Sequence, residues 1–326
     1  MYILYFTFSN FASPKQHASN RQSNSGFFIR VNDLNIPKHI VTSQLPKHIP
    51  PNPADSKLAT SDFYHLDSID APTVIESLVQ IGLKCAIDGD NNIMDPWKPM
   101  DETKKTLSRR RNNKVSADPQ GWALPHGKEI LIWSSKFTHN MYGSGLPVVK
   151  ARGIVNTSPL KLVELLLDSN RVKEYNKMSL GRDDVYVFDV GPSGPGEECK
   201  VIRSLSKAPL VKNPLELISL MCSRELKVDQ SGMVGNLRGY LVVTRAVVED
   251  EIRKEGQKNE KTSRSEMLLG VNLVRYIDND KEESCSRAEF TTITQMYSPL
   301  MPMVVAKRIG LSSAGNFIRD IQAIFF

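Results

Sequence analysis

The histidines and cysteines are the residues best suited to catalysis or metal binding, and their spacing supports neither. The chain has 4 cysteines and 6 histidines. Cys85, Cys199, Cys222 and Cys285 are far apart and form no CxxC pair, and the histidines form no HExxH motif. The sequence therefore predicts no metal site and no disulfide framework, which favours a reducing compartment.

Three short patterns resemble catalytic or ion-binding motifs, but each lacks a required residue. Residues 143–147 read Gly-Ser-Gly-Leu-Pro and do not match the GxSxG nucleophile turn, and residues 191–196 are not followed by the GK[ST] of a phosphate-binding loop. Residues 88–99 begin like a calcium loop but have Ile93 and Pro99 where that loop needs glycine and glutamate. We therefore predict turns at these places, no catalytic residue and no cofactor. An enzyme is the least favoured alternative.

The basic residues are concentrated in one run. The net charge is +6, and 6 basic side chains lie between Lys104 and Lys114. No basic strand interleaved with aromatic residues accompanies them. The run therefore predicts a solvated linker and no nucleic-acid partner.

The apolar segments are too short to cross a membrane. No apolar run approaches the ~20 residues that a spanning helix needs. Residues 1–8 are apolar but lack the basic start of a signal peptide. Together with the cysteine usage, this favours a cytoplasmic protein, and secretion is the alternative left open.

The chain divides into a polar tail and one domain. Residues 1–65 are rich in Ser, Asn, Pro and His, which predicts a tail of low order. The domain covers residues 66–326. It is expected to hold an N-terminal helix at about 70–84, an inserted basic linker at about 95–120 and a core over 122–326.

The core begins with strands and ends with a long helix. Ser158 followed by Pro159 marks a helix start after the second strand. A final helical pattern begins at Pro302, and Gly310 and Gly315 are expected to loosen its middle. Strand-like runs occupy residues 129–133, 148–155, 185–190, 198–205, 216–228, 237–248, 267–277 and 286–297. This order predicts an α+β fold: a curved antiparallel β-sheet wrapped around the long C-terminal α-helix, enclosing a hydrophobic cavity.

Several short motifs over residues 122–326 fit one known family. Trp122 precedes a strand that ends near Trp133, and the strand from Val149 leads into the helix start at Pro159. Segments with matching spacing are residues 170–176, 203–209 and 288–295, followed by Pro302. Together they resemble the StAR-related lipid-transfer (START) family. The resemblance implies a helix-grip fold, a lipid held in an internal cavity without catalysis, and non-vesicular intracellular lipid transfer or sensing.

The chain departs from the START pattern at three places. Residues 296–299 replace the family's Asp-x-x-Gly turn, and residues 213–215 replace an Arg-Asp pair. The loop that gates the family's cavity corresponds to residues 249–264, which are rich in charge here. We therefore expect any charged group in the cavity to come from elsewhere. The charged loop favours contact with anionic headgroups over insertion into hydrocarbon.

Alternation along the strands predicts which side chains face the cavity. In residues 267–277 the alternate residues 267, 269, 271 and 273 are the more apolar set and are predicted to face the cavity. Arg275 continues this set and is therefore predicted to face the cavity as well. The predicted lipid-binding residues on strands are Val201, Arg203, Leu269, Val271, Leu273, Arg275, Phe290 and Thr292. The final helix adds Val305, Ile309 and Phe317.

Arg203 and Arg275 admit two interpretations, because an arginine among inward apolar positions needs a partner. Either arginine could anchor a lipid headgroup or a sterol hydroxyl. Alternatively, each forms a structural ion pair or reaches water at a strand end.

The expected function is lipid binding by a monomer. The resemblance implies a sterol, a phospholipid or a sphingolipid as ligand, and transient contact with membrane surfaces. A non-catalytic scaffold, whose cavity is filled by side chains and which binds a protein partner, is the alternative.

Overall fold

The computed structural model describes residues 29–30, 71–87, 96–112, 125–139, 143–189, 194–207, 211–226, 238–248, 263–277, 287–298, 301 and 303–325. Its helices are α1 (Ala71–Ile87), α2 (Asp101–Asn112), α3 (Pro159–Leu167), α4 (Val172–Tyr175) and α5 (Met303–Ile324), with a 3-10 turn at Ser169–Arg171. Its strands are β1 (Ile29–Arg30), β2 (Lys98–Pro99), β3 (Leu131–His139), β4 (Gly143–Val155), β5 (Ser179–Val187), β6 (Cys199–Ser206), β7 (Leu215–Leu226), β8 (Gly239–Val248), β9 (Ser263–Arg264), β10 (Glu266–Tyr276) and β11 (Ala288–Tyr297).

Nine strands form one curved antiparallel sheet in the order β2-β3-β4-β11-β10-β8-β7-β6-β5. The short strands β1 and β9 pair in parallel with β8 and β7. Helix α5 lies on the concave face and α1 on the convex face. This is the predicted α+β helix-grip arrangement. Within the described part of the chain, no helix is both long and apolar enough to cross a bilayer.

Helix α1 covers the convex face with one apolar side. Leu78 and Ile75 are buried among side chains of the central strands. At Gly82 an added Cβ would lie 2.4 Å from Cγ2 of Val243, so glycine allows the helix to approach β8 closely. The N-terminal helix thus packs on the outside of the sheet.

Helix α5 is anchored to the sheet through its C-terminal half. Ile318 and Ile321 are fully buried, and Nε2 of Gln322 donates a hydrogen bond of 2.8 Å to the carbonyl of Ile154. At Gly153 an added Cβ would lie 2.6 Å from Cγ2 of Ile318. The absence of a side chain at Gly153 therefore allows α5 to pack closely against β4. The helix is continuous through Gly310 and Gly315.

We predict that Gly153→Ala lowers the free energy of unfolding by about 1–3 kcal/mol, because the new methyl group overpacks the contact with Ile318. The second change Ile318→Leu removes the Cγ2 methyl group and should recover part of the loss. Urea denaturation of the single and double variants measures both effects. Equal stability of Gly153→Ala and the wild type would contradict this packing.

The predicted basic linker contains regular structure. Residues 101–112 form α2, whose Lys104, Lys105 and Arg109 are exposed. Thr103 attaches the helix to β3, because its Oγ1 accepts a hydrogen bond of 2.7 Å from the backbone of Ile132. The basic side chains are therefore solvated as expected, but on a docked helix. Trp122, Pro302 and most of the predicted tail and gating loop lie outside the described residues.

The prediction of no disulfide is wrong for one pair. Cys199 and Cys222 face each other on β6 and β7, with a Cα–Cα distance of 4.1 Å, and form a disulfide. Their sequence separation of 23 residues matches no cysteine motif, because only the pairing of β6 with β7 brings the two cysteines together. The expectation of a reducing compartment therefore loses this support.

Lys150 is buried on the convex face beneath two tryptophans. Its Nζ lies 4.6 Å from the ring centre of Trp97 and 5.0 Å from that of Trp133. Burial, with a smaller contribution from the charge of Arg152, lowers the pKa of Lys150 from 10.5 to about 7. The ring contacts favour the charged amine and offset part of this effect.

The lowered pKa predicts a pH-dependent stability. Between pH 7 and about 10 the unfolded chain holds the Lys150 proton and the folded chain releases it, so the free energy of unfolding rises with pH. Lys150→Met should stabilise the protein by about 1–3 kcal/mol at pH 7 and reduce this rise. Urea denaturation at several pH values, with the exposed Lys136→Met as control, tests it. An unchanged pH slope in Lys150→Met would refute the assignment.

Candidate functional site

A cleft lies between the concave face of the sheet and helix α5. Its volume is about 500 Å³, within the range of roughly 300–1,000 Å³ found for small-molecule sites. Strands β6, β7, β8, β10 and β11 form one wall, and α5 forms the other. Helix α4 and the turn after it complete the side of the cleft.

Aromatic side chains close one end of this cleft. Phe290 is fully buried, and its ring centre lies 5.8 Å from that of Phe317 on α5. Phe317 also meets the edge of Tyr175 at 5.7 Å. We call this the closed end. A guest entering the cleft would stop against these rings.

The opposite end, which we call the mouth, lies where β6 ends and α5 begins. Three exposed lysines line it: Lys177, Lys207 and Lys307. Val304 on the first turn of α5 is 81% exposed. The mouth therefore combines positive charge with apolar surface.

The wall of the cleft is mainly apolar between its two ends. The sheet contributes Ile202, Leu217, Met221 and Val242, and α5 contributes Ala306, Ile309 and Ala314. Polar side chains in this wall are chiefly uncharged serine, threonine and asparagine. Among the described residues, no group of histidine, cysteine, aspartate and glutamate side chains could hold a metal ion.

Arg182 borders the cleft, but its guanidinium is bound to the end of α3. Nη2 donates to the carbonyl of Leu166 at 2.8 Å, and Nε donates to Oγ of Ser169 at 2.9 Å. Positive charge near carbonyls at a helix C-terminus is favourable. Burial raises the pKa of the neighbouring Tyr175, and Arg182 partly opposes the rise. This arginine thus holds the wall together.

Some predicted site residues do come together at the cleft. Thr292, Ile309 and Phe317 line it, and Phe290 packs behind Phe317 at the closed end. Val271 borders the cleft, although it packs in the convex-face core. Val305 is half-buried beside the lining residues Ala306 and Ile309 and is outside the lining.

The face predicted for two strands is wrong. Val201, Leu269 and Leu273 pack under α1 on the convex face, away from the cleft. The choice of the more apolar alternate set failed because both faces of this sheet are covered. The face against α1 is solid core, whereas the face lining the cleft carries threonine, serine and asparagine.

Arg203 lies two residues from Val201 and Arg275 two residues from Leu273, so both arginines also point to the convex face. Nε of Arg203 is 2.6 Å from Oε1 of Glu216, and Nη2 of Arg275 contacts Oε2 of Glu289. The structural ion pair is therefore the correct interpretation of both arginines, and neither lines the cleft. Sequence reasoning missed the residues that replace them there: Met221, Val242, Thr244, Gly270 and Asn272.

No protein-family model matches the sequence, and no curated protein matches it. Solved structures with a similar fold include the human StarD13 (DLC2) lipid transfer and protein localization domain, at 13% identity and a TM-score of 0.43 over 70% of this chain and 98% of that chain. Human STARD10 has 13% identity and a TM-score of 0.44 over 69% and 79% of the two chains. Human StAR-related lipid transfer protein 5 has 12% identity and a TM-score of 0.42 over 69% and 94%.

Proposed function

We propose that this chain is a START-type lipid-binding protein that holds one lipid in the cleft between its sheet and α5. The observation that carries the proposal is the cleft of about 500 Å³, which has apolar walls and one aromatic closed end. Apolar surface of this extent is unfavourable in water and gains from an apolar guest. We further propose that the protein carries or senses lipid at membranes.

The side chains proposed to contact the lipid differ in part from the predicted set. Thr292, Ile309 and Phe317 are retained. Met221 and Val242 take the place of the strand residues that point to the convex face. In this proposal the lipid lies along α5, with one end against Phe317.

The mouth supports contact with membranes. Lys177, Lys207 and Lys307 surround the opening and would attract anionic headgroups by roughly 1 kcal/mol each near a membrane surface. A lipid leaving a bilayer could then enter the cleft without crossing open water. We propose that the protein associates with membranes peripherally and transiently.

We propose that the protein binds the lipid without converting it chemically. The polar groups within the wall are mostly hydroxyls and amides. These groups hydrogen-bond a guest without changing charge near neutral pH. They favour recognition of a guest over proton transfer to it.

Lipid extraction from vesicles tests the proposal. The full chain is incubated with phosphatidylcholine and phosphatidylserine vesicles that contain labelled sterol, phosphatidylcholine or ceramide, and the vesicles are then removed by flotation. We expect one of these lipids to remain with the protein at up to one molecule per chain. Failure to extract any of the three would contradict the proposal and favour a scaffold.

Two tryptophan variants give a matched control. Ala306 lines the cleft, so Ala306→Trp should fill it and abolish extraction. Ala323 is exposed near the end of the same helix and is outside the lining, so Ala323→Trp adds the same side chain outside the cleft. Equal extraction by both variants would show that lipid binds elsewhere.

A further inference from the structure

Four uncharged polar side chains lie together on the concave face, between the closed end and the mouth. Thr244 belongs to β8, Asn272 to β10, and Thr292 and Thr294 to β11, and all four line the cleft. Asn272 pairs with Thr292 across β10 and β11. They form a small polar area in a wall that is otherwise apolar.

Gly270 lies at the centre of this area. It pairs with Thr244 on one side and with Thr294 on the other. An added Cβ would lie 3.2 Å from Cβ of Thr244 and 3.4 Å from Sδ of Met267. The missing side chain therefore leaves room for Thr244 and Met267 to pack closely over the strand, and we call Gly270 and the four polar residues the polar notch.

The side chains of the polar notch are free to meet a guest. No hydrogen bond among the described residues engages Thr244, Asn272, Thr292 or Thr294 through its side chain. Thr244 and Thr292 are nonetheless buried. Their hydroxyl oxygens are not among the fully buried unpaired atoms, so they remain accessible from the cleft. A guest that displaces water from them must supply hydrogen bonds in its place, because a buried polar group without a partner is costly.

The charged side chains of the described lining are Arg182, Asp320 and the three lysines, and none lies on β8, β10 or β11, the strands of the polar notch. Arg182 is engaged by Leu166 and Ser169, the three lysines are at the mouth, and Asp320 is on α5 one turn beyond Phe317. A charged group at the notch would therefore be desolvated without an opposite charge on these strands. The notch fits an uncharged polar group.

We propose that the polar notch binds the free hydroxyl of an uncharged lipid alcohol, whose apolar body extends towards the closed end. The inference rests on the proposed function and names its ligand class. A hydroxyl both donates and accepts hydrogen bonds, as do the asparagine amide and the threonine hydroxyls that surround it. A rigid sterol and a diacylglycerol share this chemistry.

Binding of matched alcohol and blocked lipids tests the proposal on the full chain. The two pairs are a sterol with its 3-O-methyl ether, and a diacylglycerol with its acetylated derivative. Within at least one pair the alcohol should bind about tenfold more tightly, the factor expected for one hydrogen bond to a ligand. The pair that discriminates identifies the source of the hydroxyl.

Substitutions locate the hydroxyl. Thr292→Val keeps the shape of the side chain and removes its hydroxyl, so it should weaken binding of the alcohol about tenfold and leave the blocked lipid unchanged. Ser204→Ala removes a hydroxyl from a different part of the same cleft and should change neither affinity. Thermal melting verifies that both variants are folded.

The negative results of these experiments distinguish a wrong assignment of the polar notch from a wrong proposed function. Equal binding of the alcohol and the blocked lipid in both pairs would overturn the polar notch and leave lipid binding intact. Equal loss of both ligands in Thr292→Val would also overturn it. Absence of binding for all four probes would overturn the polar notch, and the extraction test then decides the proposed function: extraction of phosphatidylcholine would keep lipid binding, and extraction of no lipid would overturn it.

Discussion

Phe317→Asp is expected to fold and to lose lipid binding by more than about 100-fold. The side chain lines the closed end and contacts the rings of Phe290 and Tyr175. A carboxylate at this place would face the apolar guest, and burying it costs several kcal/mol, which corresponds to this loss of affinity. Lipid extraction from vesicles measures the effect, and circular dichroism tests the fold.

A second variant separates lost packing from lost binding. Ile309 lines the cleft without the ring contacts of Phe317, so Ile309→Asp should abolish extraction at a smaller cost in stability. Ser312→Asp places the same charge on an exposed side of α5 outside the lining and should extract lipid normally. Unchanged extraction by a folded Ile309→Asp variant would show that the cleft is not the lipid site.

Glu289→Gln is expected to lower the free energy of unfolding by about 3–5 kcal/mol, the usual cost of breaking a buried ion pair. Glu289 is 2% exposed on the convex face. Oε1 lies 3.0 Å from Nε of Arg152, and Oε2 contacts Nη2 of Arg275. Glutamine retains the shape of the side chain and removes the negative charge that faces both guanidinium groups. Urea denaturation measures the loss.

The pair of Arg203 and Glu216 provides the comparison. It has a similar geometry, with Nε and Oε1 2.6 Å apart, but the arginine side chain is 35% exposed. Water screens this pair, so Glu216→Gln should cost about 1 kcal/mol or less. If the two variants lose the same stability, burial does not determine the strength of these pairs.

Most of the long elements of the fold were predictable because each has a local signal, whereas α2 lies in the segment predicted as a linker. The apolar spacing of α1 and the Ser158–Pro159 start of α3 depend on residues near one another in sequence. In the structure, Oγ of Ser158 accepts a hydrogen bond from the backbone of Lys161, as that start requires. The strand runs were found for the same reason, although their ends shifted by a few residues.

Which side chains of each strand point to the cleft was not predictable in the same way. Alternation indicates a buried face only when the other face meets water. Here α1 covers one face and α5 the other, and the cleft lies on the less apolar side. An irregularity in the pairing of β10 between Met267 and Leu269 added to the error. Met267 lines the cleft while Leu269 points away, so one alternating set could not describe both.

The site depended on pairings between distant parts of the chain. Thr244, Gly270 and Thr294 become neighbours through strand register, and no local motif links them. The same holds for the ion pair between Arg275 and Glu289 and for the disulfide between Cys199 and Cys222. Thr292 and Phe317 were found because each lies on an element whose inner side was assigned correctly.

Native mass spectrometry of the purified full chain tests the central claim most directly. The chain is purified without detergent, and its mass is measured under conditions that preserve non-covalent complexes. Lipid binding in the cleft predicts a population heavier by the mass of a single lipid, which dissociates on activation and is absent from Ala306→Trp. A mass equal to that of the bare chain, with no lipid recovered by solvent extraction, would contradict the account.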